Sequence, residues 1–270
     1  MPNFTLNPGL RPLTISFLIG IVCVLPAFSQ VSASLCGPLT NAYGPYDYRA
    51  DHHVQAPGDQ MPHSEKRQLV ELWHFTPRVE NLIGAQSSGQ IGPPGADLDY
   101  TLRAFPNNHR ALMSVMRYGE KTGRQQPPGL RYVVECYFER ALRFRPNDTV
   151  ARIIYSTYLS KNKRATEAIT QLEQATRFAG NNAFSHFNIG LAYFDMKIYD
   201  KALSQAHRAL ELGFERTQLR DMLEKAGQWK EPTSASASNL HETAVSDPSP
   251  AVTLVAPPAE APASLPNAAQ

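Results

Sequence analysis

Two adjacent stretches of this chain read as copies of one another at a spacing of 34 residues, and that spacing restricts the folds open to it. Residues 149–182 and 183–216 align without a gap: Ala168 matches Ala202, Ala175 matches Ala209, and Leu172 falls one turn before Ala175. The second copy runs Phe187-Asn188-Ile189-Gly190-Leu191-Ala192-Tyr193-Phe194, then Tyr199-Asp200-Lys201-Ala202-Leu203, then Ala209-Leu210-Glu211-Leu212. An apolar pattern recurring at this period marks a helix–turn–helix repeat. One such unit cannot bury its apolar face alone. It stacks on neighbours and leaves a concave surface suited to binding rather than chemistry.

With Ala183 as position one, small residues occupy positions 8, 20 and 27 (Gly190, Ala202, Ala209), and large apolar or aromatic residues occupy positions 7, 11 and 17 (Ile189, Tyr193, Tyr199). This arrangement resembles the tetratricopeptide repeat (TPR) family. In the first copy Tyr155, Ser156, Leu159, Ala165, Ala168, Leu172 and Ala175 take the matching places. Small residues let antiparallel helices approach, and the aromatics fill the space between repeats. The departures are His186, Ala206 and Phe214, where the family prefers a large apolar residue, an aromatic and proline. A partial third copy covers Phe138–Asn147, with Ala141 one period before Ala175, behind an irregular loop Gly119–Gly129. Arg216–Ala226 reads as a closing helix with Leu219, Leu223 and Met222 facing inward. The whole chain also resembles exported bacterial TPR proteins through Cys36-Gly37-Pro38-Leu39 and Gly44-Pro45-Tyr46-Asp47-Tyr48, a resemblance that implies no biochemical activity. The expected fold is mostly α: a short TPR-type array of helical hairpins with an irregular N-terminal extension and a disordered C-terminal tail.

The two ends read differently from the body. Arg11 precedes an uncharged run from Leu13 to Phe28, followed by small and polar residues ending Val31-Ser32-Ala33. That is the layout of a secretory signal peptide, cleaved after Ala33 or after Ser29. The alternatives are an uncleaved membrane anchor, for which the apolar run of about 16 residues falls short of the roughly 20 a span needs, and lipidation at Cys36, which Leu35 disfavours. The tail from Glu231 holds seven prolines and no Lys or Arg, a composition that forbids long helices and leaves little for a core. Residues 1–230 carry a balance of +6, because all 26 basic but only 20 of the 24 acidic groups lie there. No dense basic stripe points to nucleic acid. The expected organisation is a signal peptide over 1–33, an irregular block over 34–105 packing on the repeats, an irregular TPR-like unit over 106–148, repeats over 149–182 and 183–216, a closing helix over 217–230 and the tail over 231–270.

Loss of Cys23 with a signal peptide leaves Cys36 and Cys136. An even pair in an oxidising compartment predicts a disulfide, the alternative being two free thiols. The loop so closed spans about 100 residues, for which chain entropy gives on the order of 4–5 kcal/mol. No C-x-x-C pair suggests redox activity.

Residues 37–105 lack the period. Tyr43, Tyr46 and Tyr48 lie in a Pro/Gly-rich stretch suited to extended segments and turns, with rings that pack down while their hydroxyls stay wet. A helix is expected over Glu71–Ile83, capped by Thr76, with Pro77 first and Gly84 as its stop. A loop is expected over Gln86–Gly95, then a helix or extended segment over Asp97–Phe105, and a new helix opens at Asn107-Asn108-His109 with Leu112, Val115 and Met116 on its apolar face. This block holds the candidates for chemistry: His52, His53, His63, His74, Asp97, Asp99 and His109. Adjacent histidines point opposite ways and the wider gaps lack ligand spacing, so no metal is expected. Asp97 and Asp99 do not share a helix face and read instead as capping or ion-pairing groups toward Arg103 or Arg110. His74 and His109 read as hydrogen-bonding structural residues ahead of acid–base groups. With no G-x-S-x-G, Walker or dinucleotide motif, neither catalysis nor a cofactor is expected.

In the TPR resemblance, first-helix positions line the concave face. These are Val150, Ile153, Thr157 and Ser160 in the first copy and Phe184, Phe187, Leu191 and Phe194 in the second. Asn188 is the only residue comparable to the Lys, Arg and Asn set with which TPR proteins clamp a terminal carboxylate. The groove is therefore expected to be apolar and aromatic, filled by a protein or peptide partner or by the chain's own N-terminal block. The resulting expectation is an exported, periplasmic scaffold for protein–protein interaction in the cell envelope. The alternative is an enzyme, or a polysaccharide-associated factor, with its site in the Tyr/His-rich block. No nucleic acid and no membrane span after signal cleavage are expected.

Overall fold

The computed structural model describes residues 36–50, 61–87 and 90–232. The expected signal peptide, Cys23, His52, His53 and the tail from residue 233 lie outside the described residues. Among the described residues the chain is mostly helical, with ten helices and one two-stranded ribbon. It divides into two compact units, residues 1–145 and 146–270. Among the described residues no helix is long and apolar enough to cross a membrane.

The first unit comprises α1 (His63–His74), α2 (Pro77–Glu80), the antiparallel ribbon of β1 (Ala85–Ser87) and β2 (Gln90–Gly92), α3 (Gly95–Ala104), α4 (His109–Thr122) and α5 (Val134–Phe144). The single helix expected over Glu71–Ile83 is two helices. The residue before a proline is pushed to an extended conformation, and Thr76 at ψ 161 breaks the chain between them. Pro77 is the first residue of α2 as expected, but Thr76 makes no side-chain cap and α2 ends at Glu80. The loop expected over Gln86–Gly95 contains the ribbon, paired Ala85 with Gly92. Asp97–Phe105 is helical up to Ala104, and Asn108 caps α4 by accepting from the Ala111 amide at 3.0 Å. Leu112, Val115 and Met116 are buried as the period required. The turn before α5 crosses the start of α3 at two glycines. Gly129, at φ 84, lies against the Gly95 backbone, and a Cβ on either would strike the other strand of chain.

The extended N-terminal segment is tied to α5. Cys36 and Cys136 form a disulfide with Cα atoms 5.0 Å apart. Beside it Arg140, 1% exposed, donates to the carbonyls of Cys36 (3.1 Å) and Pro38 (2.6 Å) and lies over the Tyr132 ring. Arg143 donates to Gly37 O at 2.8 Å. Tyr46 donates its amide to Ala104 O at 2.8 Å. Tyr43, Tyr46 and Tyr48 pack on a small core of Val70, Ala104 and Phe105.

The second unit repeats itself. α6 (Thr149–Lys161) pairs with α7 (Ala165–Ala179), and α8 (Ala183–Asp195) pairs with α9 (Tyr199–Glu211). The starts of α6 and α8, and of α7 and α9, are each 34 residues apart. The detail recurs at the same interval. Asp148 caps α6 through the Ala151 amide and Asn182 caps α8 through the Ser185 amide. Lys163 and Lys197 both sit at positive φ, 62° and 60°, in the turns. Ala168, Ala175, Ala202 and Ala209 are buried where paired helices meet. α10 (Gln218–Lys225) closes the unit with Leu219 and Leu223 in the core and Met222 half-exposed.

Candidate interaction surface

The first helices of the two pairs carry the candidate surface. Val150, Ile153, Thr157 and Ser160 on α6 are set against the core or the solvent edge, and all four are half-buried. Leu191 and Phe194 on α8 are half-buried. Ile153, Leu191 and Phe194 lean on the core of the unit with part of each side chain in solvent. Phe184 at the start of α8 is 52% exposed. Phe187 does not line a groove: it is 3% exposed, covered by Phe214 with ring centroids 4.7 Å apart. Of the aromatic rings expected to face out, only Phe184 is exposed, with its ring 6.1 Å from that of Phe214. Phe194 is held edge-on by Tyr199 at 5.4 Å.

Three polar groups on α6 and α8 bond within their own helices. Asn188 donates to Phe184 O at 2.7 Å, Thr157 to Ile153 O at 3.1 Å and Ser156 to Ile153 O at 2.7 Å. These are bonds back into the groups' own helices, so they present no fork of donors to a carboxylate. A separate polar depression is formed by Glu173, Thr176, Arg177, Tyr193, Lys201, Ser204 and Gln205. Lys201 bridges to Glu173 there at 2.5 Å. Burial, aided by the Glu173 charge, pushes the Tyr193 phenol up to about 12.

The acid–base candidates of the first unit are drawn into structure. His74 Nδ1 lies 2.9 Å from Asp97 Oδ1, its ring stacks on Tyr100 at 3.9 Å, and Thr101 donates to its carbonyl. Asp99 faces elsewhere, as the i, i+2 spacing required. It accepts from Tyr137 Oη at 2.7 Å and from Arg103 Nε at 2.8 Å. Burial, and then the Asp99 charge, push the Tyr137 phenol far above its ordinary range. His63 Nε2 is 2.6 Å from Asp47 O, and His109 meets the Tyr48 ring. Arg110 pairs with Glu80 and Glu71, not with either aspartate. These histidines and aspartates thus serve separate joints. No group of three or more His, Cys, Asp or Glu suited to a metal ion exists among the described residues.

Asp47 is a carboxylate with several donors. Its oxygens accept from Arg49, from Asn107 at 2.7 Å and from Arg145 at 2.6 Å. Burial pushes its pKa up, but these donors outweigh burial and hold the carboxyl well below the usual range. Sequence reasoning assigns no role to Asp47 or Arg140, since their partners lie far away along the chain. It also passes over the exposed Leu69, Leu72 and Trp73 on α1, Trp73 being 70% exposed. Their i, i+3, i+4 spacing is the available signal. Compared with models of known protein families and with curated proteins, the chain matches none.

Proposed function

We propose that this chain is an exported scaffold of TPR type that binds a protein or peptide segment on the α6–α8 face in the periplasm or envelope, without catalysis of its own. The observation that carries the reading is the recurrence, at 34 residues, of caps, left-handed turn residues and buried alanines around a half-exposed apolar first-helix face. A surface of Ile153, Phe184, Leu191 and Phe194 on which Ser156, Thr157 and Asn188 bond within their own helices favours an apolar, chain-like ligand over a charged small molecule. Export, the irregular TPR-like unit over 106–148 and the disordered character of the tail belong to the same proposal. The test is selection from a peptide display library by the full chain, followed by affinity measurement with Phe184→Asp and Thr157→Arg. Selected peptides should share apolar anchors and lose at least about tenfold, or roughly 1.4 kcal/mol, on each substitution. Equal binding to both variants, or no enrichment, refutes the assignment.

A second reading, an enzyme or polysaccharide-associated factor, draws on the His74–Asp97 pair, a geometry that suits proton transfer. His74→Ala should abolish any hydrolytic activity the full chain shows toward ester or glycoside substrates. Activity that survives the substitution rules that site out.

A further inference from the structure

The depression lined by Glu173 and Arg177 on α7, Tyr193 on α8, and Lys201, Ser204 and Gln205 on α9 shares no residue with the apolar surface of α6 and α8. Its volume is about 470 Å³, inside the roughly 300–1,000 Å³ of small-molecule sites. The Tyr193 side chain is 2% exposed, and its hydroxyl has no hydrogen-bond partner among the described residues. That hydroxyl is not one of their sealed-in orphan atoms, which belong to Asn108, Arg140 and Arg143. It therefore meets the surface, and the surface that Tyr193 lines is this depression. Gln205, 9% exposed, is held at one end only: its Oε1 lies 2.7 Å from His186 Nδ1, and the other end of the amide has no partner among the described residues. A buried polar group left without a partner costs free energy, and two such groups line one depression.

The charges of the lining do not cancel. Lys201 bridges to Glu173 at 2.5 Å, so that pair is neutral. Arg177, one turn beyond Glu173 on α7, is exposed and has no ion-pair partner among the described residues. One positive charge is left over. Burial, and then the Glu173 charge, push the Tyr193 phenol up to about 12, so its hydroxyl keeps its proton at neutral pH. We propose that this depression binds a small hydroxy acid: the carboxylate pairs with Arg177, and the hydroxyls of the ligand bond to Tyr193 Oη, to the free end of the Gln205 amide and to Ser204. A guanidinium offers a carboxylate a fork of two donors. A single uncompensated charge suits a monoanion better than a dianionic phosphate. A ligand hydroxyl both donates and accepts, so it satisfies a phenol and an amide that lack partners within the chain. This inference does not rest on the partner-binding role of the α6–α8 face.

The test is titration of the full chain with D-gluconate, followed by NMR. Sorbitol, which lacks the carboxylate, acetate, which lacks the hydroxyls, and inorganic phosphate are titrated beside it. Gluconate should bind at least about tenfold more tightly than each of the three. Arg177→Gln, at an exposed position, should weaken gluconate binding by at least about tenfold. Tyr193→Phe keeps the ring and removes only the hydroxyl, and should weaken gluconate binding about fivefold. The thermal midpoint of the ligand-free Tyr193→Phe protein should stay level or rise, because that hydroxyl makes no bond within the described chain. A hydroxyl with a purely structural role would instead lower the midpoint and leave the affinity alone. Absence of gluconate binding, phosphate binding as tight as gluconate, or parental affinity in either variant overturns the proposal.

Discussion

The bond between Cys36 and Cys136 closes a loop with a sequence separation of 100. Its removal by Cys36→Ala with Cys136→Ala tests what holds the first unit together. For a loop of this length the chain-entropy model removes about 16 cal/mol/K from the unfolded ensemble, or about 4.7 kcal/mol at 25 °C. That is a large share of the roughly 5–15 kcal/mol typical of a whole domain. The native contribution should be small by comparison. Both cysteines are buried, but the segment they anchor is held independently by Arg140 on Cys36 O and Pro38 O, by Arg143 on Gly37 O and by the Tyr46 amide on Ala104 O. The double variant should therefore keep its native contacts and lose stability through its unfolded state. Urea unfolding followed by amide exchange of α4 and α5 reads this out. At an m-value of about 2 kcal/mol/M the midpoint should fall by about 2 M, and m should rise as the unlinked chain exposes more surface. A loss under about 1 kcal/mol, with α5 still protected in the absence of urea, refutes the entropic argument. Early exchange at 36–50 with α5 unchanged would show that the bond, and not the arginines, docks the segment.

Three further outcomes concern single side chains. Asp47 titrates below its unfolded value, so its contribution is full above about pH 4 and drains away as pH falls through the native value. Asp47→Asn should cost about 1.5–3 kcal/mol at neutral pH and flatten the acid limb of the stability curve, and an unchanged limb refutes the Asn107–Arg145–Arg49 account. Tyr137→Phe removes the 2.7 Å bond to buried Asp99 and should lower stability by about 1–3 kcal/mol, measured by thermal unfolding. In Gly190→Val a Cβ at this position would collide with the Leu219 side chain and come within 3.2 Å of Gln205 Cβ, so α10 amides should lose protection at a cost of about 1–3 kcal/mol.

The paired helices of the second unit are legible in sequence because their determinants are local and repeat: a cap, a run of small residues at helical spacing, a turn of fixed length. The first unit is legible only in part. α1 escapes notice because its sequence, His-Ser-Glu-Lys-Arg-Gln-Leu-Val-Glu-Leu-Trp-His, buries Lys66 and Val70 and turns Leu72 and Trp73 outward, the inverse of an ordinary amphipathic pattern. The ribbon escapes because strands of three residues have no room to alternate. Arg140 reads locally as a solvated helical arginine. Its burial is set by carbonyls some 100 residues upstream, which no window around α5 contains. Cysteine parity, on the expectation of export, suggests the disulfide, and distance decides it.

Phe187 departs from the groove for a reason that ties together the departures from the repeat pattern. The resemblance expects an aromatic at Ala206, proline at Phe214 and a large apolar residue at His186. Ala206 leaves space beside Phe187, and Phe214, free of proline's fixed geometry, turns in to cover Phe187 from that side; Ala206 and Phe214 line one small hollow. The aromatic missing from α9 is thus supplied from further along the chain. His186 is buried without being apolar because both its nitrogens are engaged, Nδ1 with Gln205 Oε1 at 2.7 Å and Nε2 with Gly180 O at 2.8 Å. A buried imidazole so satisfied costs little, and its contact with Gln205 links α8 to α9 beside the point where Gly190 lets them close. Each departure taken alone would leave a void or an orphaned polar group. Together they close the core of the second repeat, with Phe214 packed over Phe187.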